Sequence, residues 1–198
     1  MLSGTQHFLL TRRRFPGAWQ LLTTWGRLEI PARAPPISLD IILAIAGFAL
    51  SLSRIDYDAI LLTGFHCILR TMEALTISPG FIALGSDCRG ALALPWTKVG
   101  QQRGAHEVVT IDEPLVGFWL RQACEGVLND AQLMTGGPHQ FRTFFQQAVT
   151  TSGLQELGFK PYSLRRGGAT HDFLFHHNVQ RTLMRGRWGD VCTGRIHY

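Results

Sequence analysis

The chain has 198 residues, with 19 Lys+Arg against 14 Asp+Glu and a formal net charge of +5. That length suits one ordinary domain, or one domain plus a fragment. An apolar fraction of 45% with 17% charged residues excludes a disordered chain and fits a packed core. The longest apolar run, Ile41 to Leu52, falls well short of the roughly 20 residues a membrane span needs, so no membrane partner is expected and the run reads as a buried helix. Cys67, Cys88, Cys124 and Cys192 are irregularly spaced, which argues against a disulfide framework or a zinc site and for a reducing, intracellular compartment.

Charge is unevenly distributed. Residues 1–35 hold five Arg and one Glu, residues 36–159 seven basic and eleven acidic groups, and residues 160–198 seven basic and two acidic. Two basic ends around an acidic middle suit a polyanion, nucleic acid above all; a solvated basic face is the plainer reading. Only Lys98 and Lys160 are lysines. Arginine is the side chain suited to forked contacts with phosphate, although codon bias produces the same skew.

In chain order, residues 1–36 read as an incomplete piece. Trp19, Leu21, Leu22 and Trp25 share one helical face before Pro31, Pro35 and Pro36 break the pattern as a linker would. Ser38 or Asp40 opens a helix through about Ser51, and a second helix runs from about Asp56, as N-cap, to Leu69. Pro79-Gly80 marks a turn before a short strand-like run. Ala91–Trp96 and Glu107–Ile111 form a long hairpin around Val99–His106. Asp112-Glu113-Pro114 is an acidic helix start with proline in the first turn, and that helix continues to about Leu128. Further helices are expected over Pro138–Ser152 and Ser163–Phe175, and Gly186 and Gly189 interrupt the last stretch. The fold class is therefore mainly α with a small three-stranded β-sheet, an α+β arrangement.

No phosphate loop, nucleophile elbow or H-E-x-x-H motif is present. His171, His176 and His177 lack the i,i+4 spacing that puts two imidazoles on one helical face, so they read as surface histidines and not as a metal site.

Three segments carry more. They are Leu69-Arg70-Thr71-Met72-Glu73, Pro95-Trp96-Thr97-Lys98 at the hairpin, and Pro161-Tyr162-Ser163-Leu164-Arg165-Arg166-Gly167-Gly168, followed by Arg185-Gly186-Arg187-Trp188 and a terminal tyrosine. Their order and spacing resemble the catalytic domain of the tyrosine recombinase (phage integrase) family, over roughly residues 36–198. The resemblance makes Arg70 the first arginine, Glu73 its companion acid, Lys98 the hairpin lysine, Arg165 the second arginine and Trp188 the His/Trp position. Tyr162 stands where the family usually has histidine. The nucleophile falls within Ile196-His197-Tyr198, which makes it Tyr198, one residue beyond the family's spacing of about nine from Trp188. Residues 1–35 would be the remnant of a preceding helical DNA-binding domain plus its linker.

The implied activity is DNA cleavage and rejoining through a 3′-phosphotyrosyl link, as in site-specific recombination or integration by a mobile element. The implied partners are double-stranded DNA and further copies of the chain assembled on it, in the nucleus if the cell is eukaryotic. The scheme requires no cofactor: no metal and no nucleotide. Two guanidiniums stay protonated and offer forked donors to the phosphate oxygens, and an ammonium protonates the leaving oxygen. Each residue also has a plainer reading. Arg70 and Glu73 at i,i+3 make an ordinary helix pair, Lys98 a solvated lysine, Arg165-Arg166 a nonspecific basic patch, and Trp188 and Tyr162 core aromatics. Gly167-Gly168 early in a helix serves either close helix packing or close approach of DNA. A DNA-binding relic without chemistry is the alternative function.

Overall fold

The computed structural model describes residues 34–95 and 107–188. Among the described residues seven α-helices and three strands follow in order: α1 (Leu39–Ser51), α2 (Ile55–His66), α3 (Thr71–Leu75), β1 (Ile82–Leu84), β2 (Gly90–Leu94), β3 (Glu107–Ile111), α4 (Pro114–Cys124), α5 (Gly137–Thr151), α6 (Ser163–His176) and α7 (Val179–Arg185). The expected mainly helical architecture with one small sheet is the observed one.

Local chemistry accounts for most boundaries. Ser38 caps α1 by accepting a hydrogen bond from the Ile41 N–H at 3.4 Å, and Asn178 caps α7 through the Arg181 N–H at 3.0 Å. Pro114 sits in the first turn of α4, where its missing N–H costs nothing. Three expectations shift, the first being the end of α2 at His66 instead of Leu69. The cap of α2 is Arg54, which leaves Asp56 in the first turn, held by the Arg54 guanidinium at 2.6 Å. Helix α4 stops at Cys124, short of Leu128. The five-residue α3 is too short to leave a periodic signal.

The sheet is antiparallel in the order β1-β2-β3, with Leu92 opposite both Ile82 and Val109. Leu92, Leu94, Val109 and Ile111 face the core, while Val108 and Thr110 face out, so strand alternation sets the register.

Helix α2 is the centre. It packs against α1, α3, α4 and α6, and every residue from Tyr57 to Phe65 is buried. The more apolar α1 buries only one face, through Ile42, Ile45, Ala46 and Ala49, and leaves Leu43 exposed. Burial on all sides thus falls to the less apolar of the two helices. Asp58 is carried into the core with it, and burial pushes its carboxyl up to about 7.

Helix α6 reaches α2 through Gly168 and the segment before α1 through Gly167. A Cβ on Gly168 would lie 1.9 Å from the Phe65 carbonyl oxygen, and one on Gly167 would lie 2.0 Å from that of Ile37. Close helix packing, not room for DNA, is what these glycines provide. Cys67, Cys88 and Cys124 are free thiols, and no helix among the described residues is long and apolar enough to cross a membrane.

Candidate phosphate-binding site

Arg70 and Glu73 define a helix start rather than a mid-helix pair. Arg70 is the N-cap of α3, with extended backbone at φ −68° and ψ 148°. Glu73, three residues on, reaches back and accepts the Arg70 backbone N–H on Oε2 at 2.8 Å, the reciprocal half of a capping box. Its Oε1 accepts Arg70 Nη1 at 2.5 Å. The Glu73 side chain is 7% exposed and that of Arg70 35%, so a buried carboxylate anchors a partly open guanidinium.

Arg165 lies in the first turn of α6 and is 2% exposed. It donates through Nη1 to the Ile68 carbonyl at 2.6 Å and through Nη2 to the Gly186 carbonyl at 2.5 Å. Its guanidinium carbon sits 4.7 Å from the Trp188 ring centroid, a cation–π contact. These hydrogen-bond acceptors are neutral, so they orient the cation without cancelling its charge. Burial, with the nearby Arg187 and Arg70 cations acting in the same direction, lowers the Arg165 pKa to about 10; the group remains protonated at neutral pH. Both turns that supply the carbonyls hold a side chain in the left-handed region, Ile68 at φ 51° and Arg187 at φ 56°. A β-branched residue there is strained, and such strain persists only where surrounding contacts enforce it.

The structure thus brings Arg70, Glu73, Arg165 and Trp188 to one place, with Tyr162 at the rim. Tyr162 is the N-cap of α6, 39% exposed and within electrostatic range of Arg165. Lys98 and Tyr198 lie outside the described residues, as do Trp96 and residues 1–33. Arg166 does not join the cluster; it donates to the Ala34 carbonyl at 2.9 Å and fastens α6 to the segment before α1.

One member of the cluster went unmarked in the sequence. Arg187 pairs with Glu73 Oε2 through Nη2, and its Nε is 3.3 Å from Glu107 Oε2. The segment Arg185-Gly186-Arg187-Trp188 offers two arginines that look alike. Arg185 instead turns to Asp112 at 2.7 Å and to the His66 carbonyl at 2.8 Å. Only the adjacency of Arg187 to the tryptophan position could have drawn attention to it.

A second charged cluster borders a cavity of about 240 Å³ lined by His66, His171, Asp172, Phe175 and Arg185 among others. Asp172 accepts the Thr182 hydroxyl at 2.6 Å and lies 3.5 Å from Arg185 and 3.7 Å from Arg181. His171 packs among Phe65, His66 and Phe175 rather than standing on a bare surface. His176 lies 3.8 Å from Asp172.

No family model matches the chain, and no curated protein matches it in sequence. Solved structures do match. The XerH site-specific recombinase in a post-cleavage complex with palindromic difH substrate superposes with a TM-score of 0.67 at 12% identity, covering 82% of this chain and 49% of that one. The XerH pre-cleavage complex with difH gives 0.66 at 13%, covering 86% and 52%. The XerA recombinase gives 0.64 at 16%, covering 85% and 60%. The chain therefore spans about half to three-fifths of the length of these structures. Its described residues carry the mainly helical fold, with a small antiparallel sheet, that these recombinases share, the fold that the tyrosine recombinase motifs imply.

Proposed function

We propose that this chain is the catalytic part of a DNA breaking-and-rejoining enzyme, with residues 36–198 forming that domain and residues 1–35 the end of a preceding DNA-binding domain and linker. The observation that carries the reading is the cluster of Arg70, Arg165 and Arg187 around Glu73, in which cations outnumber carboxylates even after Glu107 is counted. A site that keeps positive charge against the cost of burial is suited to an anion, and paired guanidiniums suit a phosphodiester. XerH, which shares the fold, is bound to a DNA substrate, and DNA is the substrate proposed here.

In this reading Arg70 and Arg165 donate to the non-bridging oxygens as charge builds in the transition state. Trp188 packs against Arg165 and fixes its plane. Tyr162, in the usual histidine place, offers a hydroxyl at the rim. The tyrosine oxygen of Tyr198 gives up its proton to solvent and forms the new bond to the 3′ phosphate while the bond to the 5′ oxygen breaks, and Lys98 supplies the proton that the 5′ oxygen takes up. The phosphotyrosyl bond conserves the ester for rejoining to a second strand, the chemistry of site-specific recombination or of integration by a mobile element. Copies of the chain would assemble on the duplex.

A second reading, a DNA-binding relic, is favoured by one observation: Tyr198 stands ten residues beyond Trp188, one past the family's spacing of about nine. A nicked suicide substrate separates the two. A covalent protein–DNA band with wild type that disappears in Tyr198→Phe supports the enzyme. DNA binding with no band supports the relic. Absence of a salt-dependent shift on duplex DNA sinks both, because phosphate contacts impose a steep salt slope.

A further inference from the structure

Arg187 is held by more constraints than a spare basic residue needs. Its backbone is left-handed at φ 56°, its side chain is 9% exposed, and it spans from the Trp188 turn to Glu73 of α3 and Glu107 at the start of β3. Among the described residues its Nη1 is buried without a hydrogen-bond partner. A strained, buried cation of this kind points from geometry to function.

What it does follows from the two oxygens of Glu73. One takes Arg70 Nη1; the other takes the Arg70 backbone N–H and Arg187 Nη2. A carboxylate with both oxygens available closes a bidentate fork on a guanidinium. Arg187 occupies the oxygen that would complete that fork.

We propose that Arg187 is a positioning residue of the phosphate site, holding Glu73 so that the carboxylate orients Arg70 while leaving guanidinium donors of Arg70 open to a phosphate. The inference rests on the reading that Arg70 and Arg165 bind the DNA backbone. Arg187 acts through Arg70, so the two side chains are coupled in binding, and a lysine, which still engages the second oxygen of Glu73, preserves much of the effect.

The test uses the full chain with Arg187→Met, Arg187→Lys and the double variant Arg187→Met/Glu107→Gln. The double variant leaves no lone buried carboxylate and keeps the test available if Arg187→Met does not fold. The first readout needs no DNA: modification of Arg70 by phenylglyoxal, followed by peptide mapping. Arg187→Met and the double variant should slow modification of Arg70 several-fold, and Arg187→Lys should keep it near the wild-type rate. An unchanged or faster rate in both Met variants overturns the proposal. The second readout is affinity for a plain duplex oligonucleotide. Arg187→Met should weaken binding about tenfold when Arg70 is present and have little further effect in an Arg70→Met background. Additive losses overturn the proposal, because Arg187 would then act by itself. A duplex affinity indifferent to Arg70→Met overturns the phosphate-site reading instead, and the modification rate still decides whether Arg187 controls Arg70.

Discussion

Two charged clusters meet helix α6, and they differ in balance. Around Asp172, two carboxylates (Asp112 and Asp172) face two arginines (Arg181 and Arg185), and every close contact is between opposite charges. Around Arg165, three arginines face two carboxylates, and Arg165 itself donates to neutral carbonyls. The first arrangement is complete and serves to dock α7 on α6. The second keeps a surplus cation in low dielectric, at a cost in stability that an incoming anion offsets. Net charge of the chain does not distinguish them; local pairing does.

The sharpest break of this comparison is Arg165→Met. It should lower the rate of phosphotyrosyl adduct formation about 10²–10³-fold, the scale seen when a transition-state donor is removed. Quantified adduct on the nicked substrate is the measurement, with Asp172→Asn as the control expected to stay within about twofold.

Gly168→Ala tests what the clusters share. The added methyl meets the Phe65 carbonyl at 1.9 Å, so α6 must move, carrying Arg165 and Asp172 with it. A loss of about 3 kcal/mol in denaturant unfolding is expected, with DNA affinity falling alongside.

Asp172→Asn should cost about 2 kcal/mol, because it leaves Arg181 and Arg185 facing each other with less compensation and weakens the contact to Thr182. Duplex affinity should not change. A large loss of affinity would mean that the balanced cluster takes part in binding after all.

The smallest effect is a pH slope that should be almost absent. Burial lowers the His66 pKa to about 4, and the Arg185 and His171 charges act in the same direction against Glu113. Burial raises that of Asp58 to about 7. Between about pH 4 and 6.5 the unfolded chain binds an extra proton at His66 and one fewer at Asp58. The His66 contribution makes stability rise with pH across that window, and the Asp58 contribution makes it fall, so the two cancel. Asp58→Asn should unmask a rise and His66→Gln a fall, each approaching 1.4 kcal/mol per pH unit in urea melts taken across the window.

Much of this was readable along the chain. Ser38, Asn178 and Pro114 act within three residues of the ends they mark, and Val109 and Ile111 alternate with outward residues over a single strand. Signals of that range survive in a linear reading. The order of Arg70, Arg165 and Trp188 was likewise enough to bring them under one resemblance, and the structure brings their side chains together.

Tertiary structure decided the rest, because the deciding partner lies far off in sequence. Local composition marks α1 as the buried helix, yet α2 is enclosed on all sides because α1, α4 and α6 pack around it. Nothing near Gly168 says that a carbonyl of Phe65 will press against it. Arg185 and Arg187 look alike two residues apart. One faces Asp112, 73 residues away, in a balanced pair, and the other faces Glu73, 114 residues away, beside a surplus of positive charge. Coulombic partners are chosen by distance in space and by the water excluded between them, and a sequence states neither.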